Sequence, residues 1–143
     1  MSRVSWKLSR TVLRGADGGN AARLLDQKVD AKTKQPFAIG LKDGALFAFA
    51  GLWDRWKDRV TGQVLETYTI VTTDPNALTE PLHNRMPVIL RPEDYGRWLE
   101  PGESSHLPVD LLRPYNAEEM TAWKVNARVG NVRNNDPTCV DAL

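Results

Sequence analysis

The stretch "PLHNRMPVIL" (81–90) holds one of only two histidines in the 143-residue chain. His83 stands two positions before Arg85. An unperturbed imidazole titrates near pH ~6.5, so small changes of environment make it an acid or a base. A guanidinium offers a planar fork of donors that fits two phosphate oxygens at once. Upstream, Thr72, Thr73 and Asn76 can donate hydrogen bonds to a phosphate, or cap the turn that begins at Asp74. Trp53 and Trp56 are three apart after an apolar run, and an indole face can stack a nucleobase for about 1–3 kcal/mol. Each residue also has a plainer reading. These are a solvated loop histidine for His83, a surface ion pair for Arg85, a helix cap for Thr73 and core packing for Trp53.

Other chemistries find little support. With two histidines and one cysteine, a zinc site of the usual ligand sets is not expected. No Walker loop or dinucleotide fingerprint is present, and "GADGGN" (15–20) lacks the preceding strand that a phosphate loop needs. Cys139 has no cationic neighbour in sequence to favour a thiolate, so it reads as incidental. Ser2 or Ser5 with His83 would make an unrelated hydrolase, but no spacing or third orienting residue supports it. The net charge of +1 names no partner, so nucleic-acid binding would need a local basic patch. No apolar run approaches the ~20 residues of a membrane helix.

The elements that must position these residues follow from pattern. "PFAIGL" (36–41) and "ALFAFAGLW" (45–53) read as strands joined by a hairpin turn at "KDG", the second of them central and buried. Residues 54–63 read as a polar loop. "VLETYTIVTT" (64–73) alternates and is β-branched, as a half-buried strand should. Residues 74–83 predict a short helix with Asp74 as N-cap and Pro75 at the first position. "MPVIL" (86–90) is a strand, and 91–102 a helix opened by proline and closed by glycine. A short helix is expected over 107–115, a capped start at Asn116, and a last strand over 123–132. The short crossovers favour an antiparallel or mixed sheet. Residues 1–33 form a divergent segment, either added to the domain or partly disordered; 34–137 form the main domain and 138–143 a tail.

Three stretches, "KQPFAIGLKDGALFAFAGLWDRW" (34–56), "ETYTIVTTDPNALTEPLHNRMPVIL" (66–90) and "VNARVGNVRNNDP" (125–137), closely resemble the SOS response-associated peptidase family, the abasic-site processing proteins. The resemblance implies an α+β domain with a β-barrel-like core and short flanking helices, incomplete here relative to the family. It implies binding of single-stranded DNA carrying abasic sites, in the cytoplasm and associated with the nucleoid, without membrane, metal or small-molecule cofactor. Intact members close a thiazolidine ring between an abasic aldehyde and an N-terminal cysteine. By motif, His83 corresponds to the family's acid-base histidine. Arg85 and Thr72 correspond to its phosphate-holding pair, with Asn76 and Trp53 as further DNA contacts.

Departures accompany the match. The chain begins Met1-Ser2-Arg3, with no cysteine before Cys139. A serine hydroxyl is a far weaker nucleophile than a thiol at neutral pH. The family's "GFYEW" motif is absent, and counting back from "DAKTKQPF" puts its glutamate near Leu25, with Asp26 beside it as a weak substitute. The expectation is a member shortened at its N-terminus and catalytically impaired. The alternatives are a non-catalytic single-stranded DNA binding module and a degenerate remnant. Open sheet edges in such a chain would invite pairing with another polypeptide.

Overall fold

The computed structural model describes residues 5–9, 23–28, 34–100 and 108–143, the first two as backbone only. Nine strands and one short α-helix are found among them. These are β1 (Ser5–Ser9), β2 (Arg23–Lys28), β3 (Lys34–Leu41), β4 (Ala48–Lys57), β5 (Val64–Ile70), β6 (Thr72–Thr73), β7 (Met86–Pro87), β8 (Ile89–Leu90), α1 (Tyr95–Leu99) and β9 (Met120–Lys124). All pairings are antiparallel. One sheet runs β1-β4-β5, with β8 also on β4; a second runs β2-β3-β9; β6 and β7 form a third.

The expected barrel-like core is therefore corrected: the described strands form three antiparallel sheets and no closed barrel. The reason lies at "KDG". Gly44 adopts φ 72°, which glycine takes without a Cβ penalty. The Lys42 N–H bonds to the Glu119 carbonyl rather than to β4. The turn therefore hands the chain from one sheet to another instead of folding it into a hairpin. A hairpin lies one step later, between β4 and β5, where the expected loop is strand as far as Lys57. Asp58 closes its tip, accepting from the Val60 and Thr61 N–H groups, and Gly62 supplies a second positive φ.

The expected helix over 74–83 is a pair of hydrogen-bonded turns instead. Asn76, not Asp74, accepts the capping bonds, from the Leu78 and Thr79 N–H groups. Val88 splits the strand expected at 86–90. Its N–H reaches the Val71 carbonyl, its carbonyl takes the Ala50 N–H, and the Ala50 carbonyl takes the Val71 N–H. Asn116 does cap a turn, accepting from Glu118 N–H, but the chain extends into β9 at Met120 after that single turn. The final strand thus falls earlier than expected, and Asn126 opens a 3-10 turn where strand was foreseen.

Two larger apolar clusters carry most of the core, and Ala38 with Val125 forms a small third. Ile39, Leu41, Phe49, Met86, Ile89, Tyr115 and Met120 pack between β3, β4 and β9. Ala50, Val88, Leu90, Trp98 and Leu111 pack on the other side, where α1 delivers Trp98. Burying a large aromatic of this kind contributes several kcal/mol, on the order of the ~3–5 lost on truncation to alanine. The C-terminal tail is tied down: Val125 bridges Ala142, the Leu143 N–H reaches the Lys124 carbonyl, and Trp123 Nε1 donates to the Val140 carbonyl.

Candidate nucleic-acid interface

The segment between β6 and β7 carries the principal candidates. Its neck is the β6–β7 ladder, Thr72 opposite Pro87 and Thr73 opposite Met86. Its interior is organised by Asn76. The Nδ2 group donates to the Tyr115 carbonyl at 2.8 Å and lies 3.2 Å from Met120 Sδ. Oδ1 accepts from Leu78 and Thr79 N–H. Both ends of the carboxamide are thus spent inside the fold, which makes Asn76 a positioning residue. Sequence order alone could not separate that role from a DNA contact. Thr79, a buried polar residue, receives the His83 N–H on its carbonyl at 2.9 Å and so fixes where the histidine leaves the core.

His83, Arg85 and Thr72 are exposed and joined to one another. The Arg85 N–H donates to His83 Nδ1 at 3.1 Å. Arg85 Nε donates to Thr72 Oγ1 and its Nη2 to the Thr72 carbonyl, both at 2.9 Å. A neutral imidazole accepts that N–H at Nδ1 when its proton is on Nε2. The Arg85 carbonyl, 3.0 Å from Nδ1, becomes a partner when that nitrogen is protonated. Among the described residues Nε2 has no partner. Thr72 likewise occupies only one edge of the guanidinium, and Nη1 remains for an external acceptor. The arrangement can donate a proton from Nε2 and grip an oxyanion a short distance away.

The other sequence candidates fall elsewhere. Trp53 is half-buried on β4, opposite Ser5 on one side and Tyr68 on the other. Asp26 lies on β2 in register with Pro36, and its side chain is outside the described residues, as is Ser2. Cys139 is buried in a 3-10 turn, its Sγ 3.7 Å from Asp136 Oδ2. A feature the sequence reading missed is a cleft of about 210 Å³ lined by Arg91, Asp94, Arg113, Tyr115 and Asn116. Arg91 stacks 4.9 Å from the Tyr115 ring centre and bonds Glu119 at 2.6 Å. That hydrogen bond, and a second from Asn116, hold the Glu119 carboxyl below its ordinary range. No signal in a single sequence joins positions so far apart.

Residues 26–132 match the family described as SOS response associated peptidase (SRAP). The chain belongs to the SOS response associated peptidase family. Among its relatives, the abasic site processing protein YoqW of Bacillus subtilis (strain 168) is 43% identical over 117 residues, covering 81% of this chain and 52% of the relative. The abasic site processing protein HMCES of Pongo abelii is 37% identical over 122 residues, covering 76% and 34%. A crystal structure of a Bacteroides thetaiotaomicron protein superimposes with TM-score 0.75 at 35% identity, over 85% of this chain and 53% of that one. The chain spans about half the length of the bacterial relatives it matches. The SRAP match contains the whole Thr72–Arg85 group. No helix among the described residues is long and apolar enough to cross a membrane.

Proposed function

We propose that this chain engages DNA at abasic sites through the His83–Arg85–Thr72 group, on single-stranded DNA and without forming a covalent adduct. The observation that carries the reading is the double bond of Arg85 to Thr72. It pins a cation at the surface with one edge free, beside an imidazole whose Nε2 is also free. The relatives named as abasic site processing proteins support the same substrate.

The chemistry follows from an exposed imidazole beside a pinned cation. The closed sugar of an abasic site is a hemiacetal. Opening it breaks the C1′–O4′ bond, places a proton on O4′ and removes the hydroxyl proton from C1′. Protonated His83 supplies the first proton from Nε2, water takes the second from the C1′ hydroxyl oxygen, and Arg85 Nη1 holds a neighbouring phosphate by a charge-assisted hydrogen bond. The aldehyde so exposed finds no thiol, because a polypeptide of this sequence carries its single cysteine at buried Cys139. Trp53 would offer an indole edge to the strand, and Asp26 would be the nearest substitute for the family's acidic residue.

The test pairs two measurements. Fluorescence anisotropy with single-stranded DNA bearing one abasic site should show binding that weakens steeply with salt, as counterion release requires. Denaturing gels of the same mixture should show no heat-stable adduct. Absence of binding at low salt refutes the DNA site, and a robust adduct refutes the non-covalent reading.

A further inference from the structure

The cleft lined by Arg91, Asp94, Arg113, Tyr115 and Asn116 takes no part in the proposed sugar chemistry, and its charged groups are unevenly used. Arg91 is held by two partners. Its guanidinium lies over the Tyr115 ring and donates to Glu119 Oε1, yet the side chain is still 37% exposed. A planar cation fixed in this way is a platform on which an aromatic ring can stack. Asp94 is the opposite case. Its side chain is only 17% exposed, and it precedes α1 without capping it. Its nearest cation, Arg97 Nη1, is 3.7 Å away, beyond hydrogen-bond reach. Arg97 gives its hydrogen bonds to Asp110 instead, at 2.9 and 3.0 Å. A mostly buried carboxylate therefore lines the cleft with no hydrogen-bond donor among the described residues.

We infer that this cleft receives a nucleobase bearing an exocyclic amine, from the strand whose phosphate Arg85 holds. The inference rests on that reading of Arg85, and three observations select the ligand. The cleft measures about 210 Å³, below the ~300–1,000 Å³ of sites that enclose a whole small molecule, so it suits one part of a larger ligand. Its charges balance: Glu119 matches Arg91, and Asp94 offsets Arg113, so no surplus of positive charge selects a phosphate. Its foundation is shared with the DNA grip. Asn76, which shapes the turn bearing His83, donates to the Tyr115 carbonyl, and Arg91 covers the ring of the same tyrosine. Six residues separate Arg85 from Arg91, at most about 22 Å of extended chain, which a few nucleotides can span. A base stacked on Arg91 turns its edge to Asp94. A carboxylate only accepts, so the amino group of cytosine N4 or adenine N6 satisfies it, whereas thymine offers a carbonyl oxygen in that place.

The test uses two oligonucleotides with one abasic site each, flanked by dC in one and by dT in the other. Anisotropy should show the wild-type chain binding the dC strand about tenfold more tightly, the worth of one hydrogen bond to a charged acceptor. Asp94→Asn is isosteric, and its amide can donate as well as accept. It should erase the preference without weakening the dT strand. Arg91→Lys keeps the charge and loses the plane, so it should weaken both strands alike at an unchanged salt slope. Circular dichroism of both variants should match the wild type. Nuclear magnetic resonance with free nucleosides separates this cleft from the Arg85 grip: deoxycytidine should shift the Tyr115 and Arg91 side-chain signals, and thymidine should not. Equal affinity for the two strands, a dC preference that survives Asp94→Asn, or signals unmoved by deoxycytidine would each overturn the inference and leave the Arg85 site standing. Deoxycytidine shifts in a chain that binds neither strand would uphold the cleft and refute the reading of Arg85.

Discussion

Arg85 holds Thr72 at two points, Nε on the hydroxyl and Nη2 on the carbonyl, each at 2.9 Å. The contact spans 13 residues of sequence and joins the two sides of the β6–β7 neck. It orients a charge that would otherwise sample many rotamers. In the proposed DNA site, part of the entropy cost of gripping a phosphate would therefore be met in advance.

Arg85→Ala should weaken single-stranded DNA binding and lower the salt slope by about 0.7, the loss of one phosphate contact. Arg85→Lys should not restore it, because an ammonium lacks the second edge that Thr72 leaves free. Thr72→Val keeps the strand but removes the hydroxyl acceptor, and should fall between wild type and Arg85→Ala. Anisotropy titrations at several salt concentrations read all three.

Asn76→Ala should behave in the opposite way. It strips the carboxamide that joins the turn to Tyr115 and caps Thr79, and the groups left behind are partly buried. Urea denaturation should show a loss of about 1–3 kcal/mol for an unsatisfied group of this kind. Any loss of DNA affinity should follow the loss of folded protein.

His83→Ala should leave stability within about 0.5 kcal/mol, since the side chain is exposed and outside both clusters. DNA affinity should change little. The readout that should move is sugar opening, followed by trapping the aldehyde of an abasic oligonucleotide with hydroxylamine. Wild-type protein should accelerate trapping, and the variant should not. Equal rates would remove the acid-base role.

Acid should destabilise the fold in a defined window. Arg97 hydrogen bonds hold the Asp110 carboxyl below its ordinary 3.8, and Arg91 and then Asn116 hold Glu119 below 4.5. Groups lowered in the folded state stabilise it fully above those ordinary values. The contribution is lost as pH falls through the folded values, below about pH 4. Denaturation midpoints measured from neutral to acid pH should decline there, and Glu119→Gln should flatten part of the decline.

Local signals in the sequence located most of this structure. The Asp-Gly turn and the Asn116 cap appear where their chemistry places them, whereas the half-buried strand expected over 64–73 breaks at Val71 and is exposed along Val64–Thr69. The errors lie where distant partners decide. Nothing near Lys42 indicates that its N–H goes to Glu119. A proline after Asp74 argued for a cap that Asn76 takes, because Asn76 also reaches Tyr115 and Met120. At the site, a resemblance pointed to His83, Arg85 and Thr72 together. Only the structure supplies the bond that joins the last two.

The triangle of backbone bonds among Ala50, Val71 and Val88 ties off the excursion that bears His83 and Arg85. A loop knotted at its root can vary in composition while the foundation beneath it keeps its shape. Its exposed positions are thus the replaceable part, and exchanging them while keeping Asn76, Thr79 and Met86 should yield a folded protein with altered ligand preference.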